Sequence, residues 1–99
     1  MTAKKLDIIH PGEILAEDFM RPLGVSQNRL ARDIDVPVSR ISGIVKGERS
    51  VTADTALRLA RFFGTTAELW LGLQSEHDLR VARRSLGKEL QARVKPLAA

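Results

Sequence analysis

Three neighbouring side chains, Val38, Ser39 and Arg40, carry chemistry suited to reading the edge of a base pair. An arginine guanidinium is a planar fork that bonds guanine at O6 and N7, worth roughly 1–3 kcal/mol of discrimination. Ser39 can reach a base edge or a phosphate, and Val38 can meet a thymine methyl. Ser42 and Gly43 extend this small, hydrogen-bonding face. Glycine inside a helix costs about 1 kcal/mol relative to alanine, so Gly43 points to close approach of another surface. Upstream, Gln27 can place its side chain and a helix N-terminal amide on a phosphate. Downstream, Lys46 and Arg49 suit the flanking phosphate backbone, adding affinity and salt dependence but little sequence preference.

Those residues need two short helices at a fixed angle. The stretch 26–47, SQNRLARDIDVPVSRISGIVKG, has that form. Ser26 is a good N-cap for the first of the pair. Leu30, Ala31 and Ile34 make one inward stripe, while Asn28, Arg29, Arg32 and Asp33 stay polar. Asp35-Val36-Pro37 breaks the pattern. Asp tolerates the φ > 0 that such a turn often requires. The second helix spans about 37–45, with Ile41, Ile44 and Val45 inward and Val38, Ser39, Arg40, Ser42 and Gly43 outward. Small Ala31 sits where the two helices cross. This is the sequence form of a helix-turn-helix, whose second helix enters the DNA major groove.

The flanking segments read as support, because each short helix is too weak to stand alone. Pro11 suits the first turn of a helix in which Leu15 and Phe19 share a face, and Pro22 and Gly24 end it near Met20. Thr52 caps a fourth helix carrying Ala56, Leu59, Ala60 and Phe63. Thr65 and Glu68 match a capping box for a long fifth helix. No strand, repeat or low-complexity run is evident. The expectation is an all-α chain of five helices with short connections. Residues 1–9 read as extended or mobile, 10–85 as one DNA-binding and dimerisation domain, and 86–99 as a flexible basic tail.

Composition narrows the function classes. The chain has 99 residues, with 16 Lys and Arg against 12 acidic residues, for a net charge of +4. That is compatible with a polyanion but decides little alone. With no cysteine, disulfides, thiolate zinc sites and cysteine nucleophiles are excluded together. This suits a reducing, cytoplasmic setting. No apolar run approaches the roughly 20 residues that span a bilayer, and the opening lacks the apolar core of a secretory signal. His10 and His77, the two histidines, read as part of the first helix's entry and as an interfacial side chain. Neither they nor Asp33 and Asp35 form an evident acid–base pair. No P-loop, dinucleotide fingerprint or nucleophile elbow occurs. The expectation is a non-enzyme with no metal and no cofactor.

Charge is also uneven along the chain. Glu13, Glu17 and Asp18 crowd the first helix. Arg80, Arg83, Arg84, Lys88, Arg93 and Lys95 outweigh Glu89 near the end. Each end alone reads as a solvated surface; together they read as two poles with different partners.

The span SQNRL…WLGLQ resembles the Xre-type helix-turn-helix regulators, the class that includes phage repressors. Four pieces are similar to the HigA antitoxins of the VapI-like group. They are His10-Pro11-Gly12-Glu13-Ile14-Leu15, Val45-Lys46-Gly47-Glu48-Arg49, the run Thr52 to Ala60, and Trp70-Leu71-Gly72-Leu73-Gln74. The likeness covers about residues 8–82 and implies a lambda-repressor-like domain. It further implies a homodimer on a palindromic operator in its own promoter. The implied partner is a HigB toxin of the RelE-like class, which cuts mRNA at the ribosome. By position, Gln27 matches the family's phosphate-contacting glutamine, and Val38, Ser39, Arg40 and Gly43 match exposed recognition-helix positions. The pairing surface in such proteins lies in the last helices, here near Trp70, Leu73 and His77. Two departures stand out: Asp35 replaces the commoner turn glycine, and His77 stands where a tyrosine is expected.

Glu13, Glu17 and Asp18 are the candidate face for the toxin, since a ribonuclease must carry positive charge to hold RNA. Two other readings compete. One is a stand-alone Xre-type repressor without a toxin. The other is a protein-interaction module that uses the acidic helix and the basic tail and binds no DNA.

Overall fold

The computed structural model describes residues 8–97. Most of the segment 1–9, expected to be mobile, therefore lies outside the described residues, as do the last two residues of the tail. The described residues form six helices and no strand.

The first helix, α1, spans residues 11–23 in three continuous pieces, Pro11–Ile14, Leu15–Met20 and Arg21–Leu23. His10 is its N-cap: Nδ1 accepts the Gly12 N–H at 2.9 Å, and Pro11 follows at the first helical position. The middle piece is a π-helix, in which the Arg21 N–H donates to the Ala16 carbonyl five residues back. This corrects the expectation that Pro22 ends the helix near Met20. A π turn is wider than an α turn, so the proline ring escapes the carbonyl it would otherwise strike. Termination comes at Gly24, in the left-handed conformation, where the Val25 N–H donates to the Met20 carbonyl at 2.9 Å.

Helix α2 spans Gln27–Ile34 and α3 spans Val38–Val45. Ser26 Oγ accepts the Arg29 N–H at 3.1 Å, as an N-cap should. Asp35 closes α2 at φ 62, ψ 54. It is the one non-glycine residue with positive φ among those described. The Val36 N–H then donates to the Ala31 carbonyl, so the turn is a helix C-cap built on aspartate instead of glycine. Leu30, Ala31, Ile34, Ile41 and Ile44 are all buried, as the two stripes require.

Helix α4 spans Ala53–Phe63 and α5 spans Ala67–Leu86. Thr52 caps α4. The cap of α5 is Thr66, whose Oγ1 accepts the Leu69 N–H at 3.1 Å, and not Thr65 as the capping-box spacing predicts. Thr65 Oγ1 is engaged elsewhere, by the indole N–H of Trp70 at 2.8 Å. A buried tryptophan needs an acceptor for that donor, and this need outweighs the local motif. A sixth helix, α6, spans Glu89–Arg93 with every side chain exposed. One turn of regular structure thus occupies part of the tail expected to fray.

The core lies where α1, α2, α3, α4 and the first half of α5 meet. Trp70 and Leu15 are fully buried in it. Phe19 packs on Trp70 at 4.9 Å and on Phe63 at 5.2 Å between ring centroids. Each large side chain removed from water contributes roughly 1.5–3 kcal/mol. The distal half of α5 leaves the globule, exposing Leu79, Val81 and Leu86.

Candidate nucleic-acid interface

The recognition helix α3 is positioned from behind by α1. A Cβ on Gly12 would collide with the Ile44 carbonyl at the C-terminal end of α3. Glycine there lets the start of α1 rest directly on the backbone of α3. The HPGE opening therefore has a mechanical role: His10 caps, Pro11 starts the helix, and Gly12 allows the contact.

A second brace comes from α4. Arg58 Nη1 donates to the carbonyls of Ile34 at 2.8 Å and Asp35 at 3.2 Å. These are orphan carbonyls at the end of α2 and in the turn. Arg58 Nε donates to Asp54 Oδ1 at 2.7 Å. Arg58 and Asp54 thus fix the turn between the two helices. Sequence reading passed over both, although their i, i+4 spacing on one helix was a usable signal.

A third brace comes from α5. Gln74 is buried; its Oε1 accepts the Val51 N–H at 2.7 Å and its Nε2 donates to Asp78 at 2.9 Å. The loop that follows α3 is therefore pinned to α5. Together with Trp70, this gives the WLGLQ segment a structural meaning.

On the outer surface, Val38 and Ser39 are exposed in the first turn of α3, and Arg40 and Ser42 are half-buried. Lys46 and Arg49 are exposed beyond its end, and Gln27 is half-buried as the first residue of α2. Gly43 departs from the outward reading. It is buried, and a Cβ there would lie 2.6 Å from Arg49 Cδ. The close approach that its presence signals is made by the stem of Arg49, which crosses the helix at this point. Arg40 and Arg49 then converge on one polar cleft of about 260 Å³, shared with Thr52 and Asp54 at the N-terminus of α4.

The residues expected to form a pairing surface separate. Trp70 has no exposed surface, so it is a core residue and cannot be offered to a second chain in this conformation. Leu73 is half-buried against the core. His77 lies edge-on to His10, with ring centroids 4.7 Å apart and 73° between planes. Sequence distance concealed this pairing of the two histidines. His77 Nδ1 lies 3.1 Å from Asp78 Oδ1. Burial holds the His10 pKa below its usual value; His77 pushes the same way and Asp78 opposes. Hydrogen bonds from His77 and Gln74 hold the Asp78 carboxyl below the usual carboxylate range.

Of the acidic set, Glu17 and Asp18 are exposed on α1 and Glu13 is half-buried. Glu17 accepts two hydrogen bonds from Arg21, at 2.9 and 3.3 Å. No helix of the described residues is long and apolar enough to cross a membrane.

Comparison with known proteins agrees with this geometry. A helix-turn-helix family model matches residues 17–70. Virulence-associated protein I of Dichelobacter nodosus is 48% identical over 80 residues, covering 81% of this chain and 74% of that protein. A solved addiction-module antidote protein of the HigA family from Coxiella burnetii is 48% identical, with a TM-score of 0.87 over 92% of this chain and 99% of that one. The chain belongs to the HigA antitoxin family. A second HigA structure, the Pseudomonas aeruginosa antitoxin solved with the higBA promoter, is 39% identical, with a TM-score of 0.88 over 93% and 100% of the two chains. The HigA likeness thus spans nearly the whole of both chains, beyond the helix-turn-helix that many regulators share.

Proposed function

We propose that this chain is an antitoxin that, as a homodimer, binds a palindromic operator in its own promoter and neutralises a RelE-like mRNA-cleaving toxin. The observation that supports this most is the outer face of α3. Exposed Val38 and Ser39 and half-buried Arg40 are framed by exposed Lys46 and Arg49, in a fold shared with a HigA solved with a promoter. Ser39, Arg40 and Val38 are the base readers in this proposal, with Ser42 beside them. Gln27, Lys46 and Arg49 hold phosphates. Gly43 serves indirectly, by seating Arg49.

Pairing is assigned to α5 around Leu73 and His77, extended by the exposed apolar residues Leu79, Val81 and Leu86. The toxin is assigned to the acidic face of α1 through Glu17 and Asp18, with Glu13 beside them. Co-expression with the neighbouring gene product, followed by purification and an RNase assay, tests the pair. Gel shift on the chain's own promoter tests the operator. A stable complex whose ribonuclease is silent, together with a promoter-specific shift, is the expected result. A shift with no co-purifying toxin would leave a stand-alone repressor. No shift at low salt would refute DNA recognition.

A further inference from the structure

We propose that Asp54, which lies outside the recognition helix, is a positioning residue for base reading: it orients the Arg40 guanidinium and thereby sets the discrimination of the interface. The proposal rests on the reading of α3 as the DNA-reading helix.

Two distances carry it. Asp54 Oδ1 lies 2.7 Å from Arg58 Nε and 3.6 Å from Arg40 Nη1. Arg58 is held in turn by the carbonyls of Ile34 and Asp35. A relay therefore runs from the turn, through Arg58 and Asp54, to the reading arginine. Each member limits the freedom of the next. The side chain of Arg40 is 31% exposed, against 73% for Arg32 and 76% for Arg21. Arg58, at 37%, is the only other arginine in the relay, so both arginines that share Asp54 are held down.

The chemistry is consistent with orientation. A guanidinium carries five donors in a rigid fork. Turning one nitrogen toward Asp54 leaves another edge free for a bidentate bond to guanine. An unanchored arginine must lose its rotamer freedom on binding, and a preset one has less to lose. A carboxylate this close to the reading arginine also repels phosphates, which weakens binding to every sequence alike. Asp54 thus lowers general affinity and raises selectivity, a combination that helix capping alone does not produce.

The test is a double-mutant cycle with Asp54→Asn, Arg40→Ala and the pair, read as affinity for the operator and for random duplex of equal length. Asp54→Asn keeps the side-chain size and an acceptor oxygen. It is expected to reduce the operator-to-random ratio about three- to tenfold, a part of what a bidentate arginine supplies. Affinity for random DNA should hold or rise. In the Arg40→Ala background the same change should remove nothing further, and Asp54→Glu should restore most of the ratio. Equal losses on both DNAs, or an undiminished loss without Arg40, would overturn the positioning role while leaving α3 as the reader. Failure of the unmodified protein to prefer its operator would overturn both.

Discussion

Replacing Gln74 by leucine isolates one bond that ties the recognition unit to the rest of the molecule. Gln74 Oε1 accepts the Val51 N–H at 2.7 Å, and both residues are buried, at 6% and 3% exposure. Leucine matches the volume of glutamine and keeps the packing. It offers no acceptor, so the Val51 N–H is left dry and unpaired. That defect costs about 1–3 kcal/mol. The Nε2 donor to Asp78 is lost as well, but Asp78 is largely open to water and can rebond there. A net loss of about 2 kcal/mol is a large part of the roughly 5–15 kcal/mol that holds such a domain. At about 4–8 °C per kcal/mol for a chain of this size, the melting temperature should fall by roughly 8–16 °C. Urea unfolding followed by far-UV circular dichroism measures the free energy, with an unchanged slope confirming a simple loss of stability. Gln74→Glu is the companion variant. Its carboxylate can still accept from Val51 but faces Asp78, so it should fall between leucine and the unmodified chain. A Gln74→Leu protein within about 0.5 kcal/mol of the original would show that the Val51 N–H is not left dry and unpaired, because a bond of this burial cannot be lost so cheaply.

Three further outcomes are expected. Gly12→Ala should destabilise by about 3 kcal/mol or more, above the common range for overpacking, since the added methyl meets the Ile44 carbonyl and not a side chain that can turn aside; an unchanged urea midpoint would contradict this. Stability should fall as pH drops below the ordinary histidine value of about 6.5, because the His10 pKa is lowered in the folded state and the unfolded chain takes up the proton first. A protonated Nδ1 can no longer accept the Gly12 N–H, so His10→Asn, which caps without titrating there, should flatten the curve in that window. The Asp78 contribution is distinct, being present above the normal aspartate range and lost only at lower pH. Lys46→Ala should weaken operator and random DNA alike and reduce the salt slope by about 1; a loss confined to the operator would make it a base contact.

Much of this architecture was legible from local pattern. The caps at Ser26 and Thr52 and the inward stripes of α2, α3 and α4 all lie within three or four residues of their partners, the distance over which helix signals act. Gly43 was legible as a point of close approach, though not as the seat of Arg49. The failures have physical causes of the same kind. Thr65 looked like a cap until the Trp70 indole claimed its oxygen. Pro22 looked like a stop because a π turn leaves no mark in composition.

Five of the six helices, most of their caps, the turn at Asp35 and the family are written in the amino-acid sequence. Each rests on residues close along the chain. The braces on the recognition helix come from packing between segments far apart along the chain. Val51 meets Gln74 across 23 positions, Ile34 meets Arg58 across 24, and Gly12 meets Ile44 at a backbone contact that no side-chain pattern encodes. Trp70 was moved from surface to core for the same reason: burial is a property of how helices stack, and a periodic stripe shows which face turns inward but not how deep it lies.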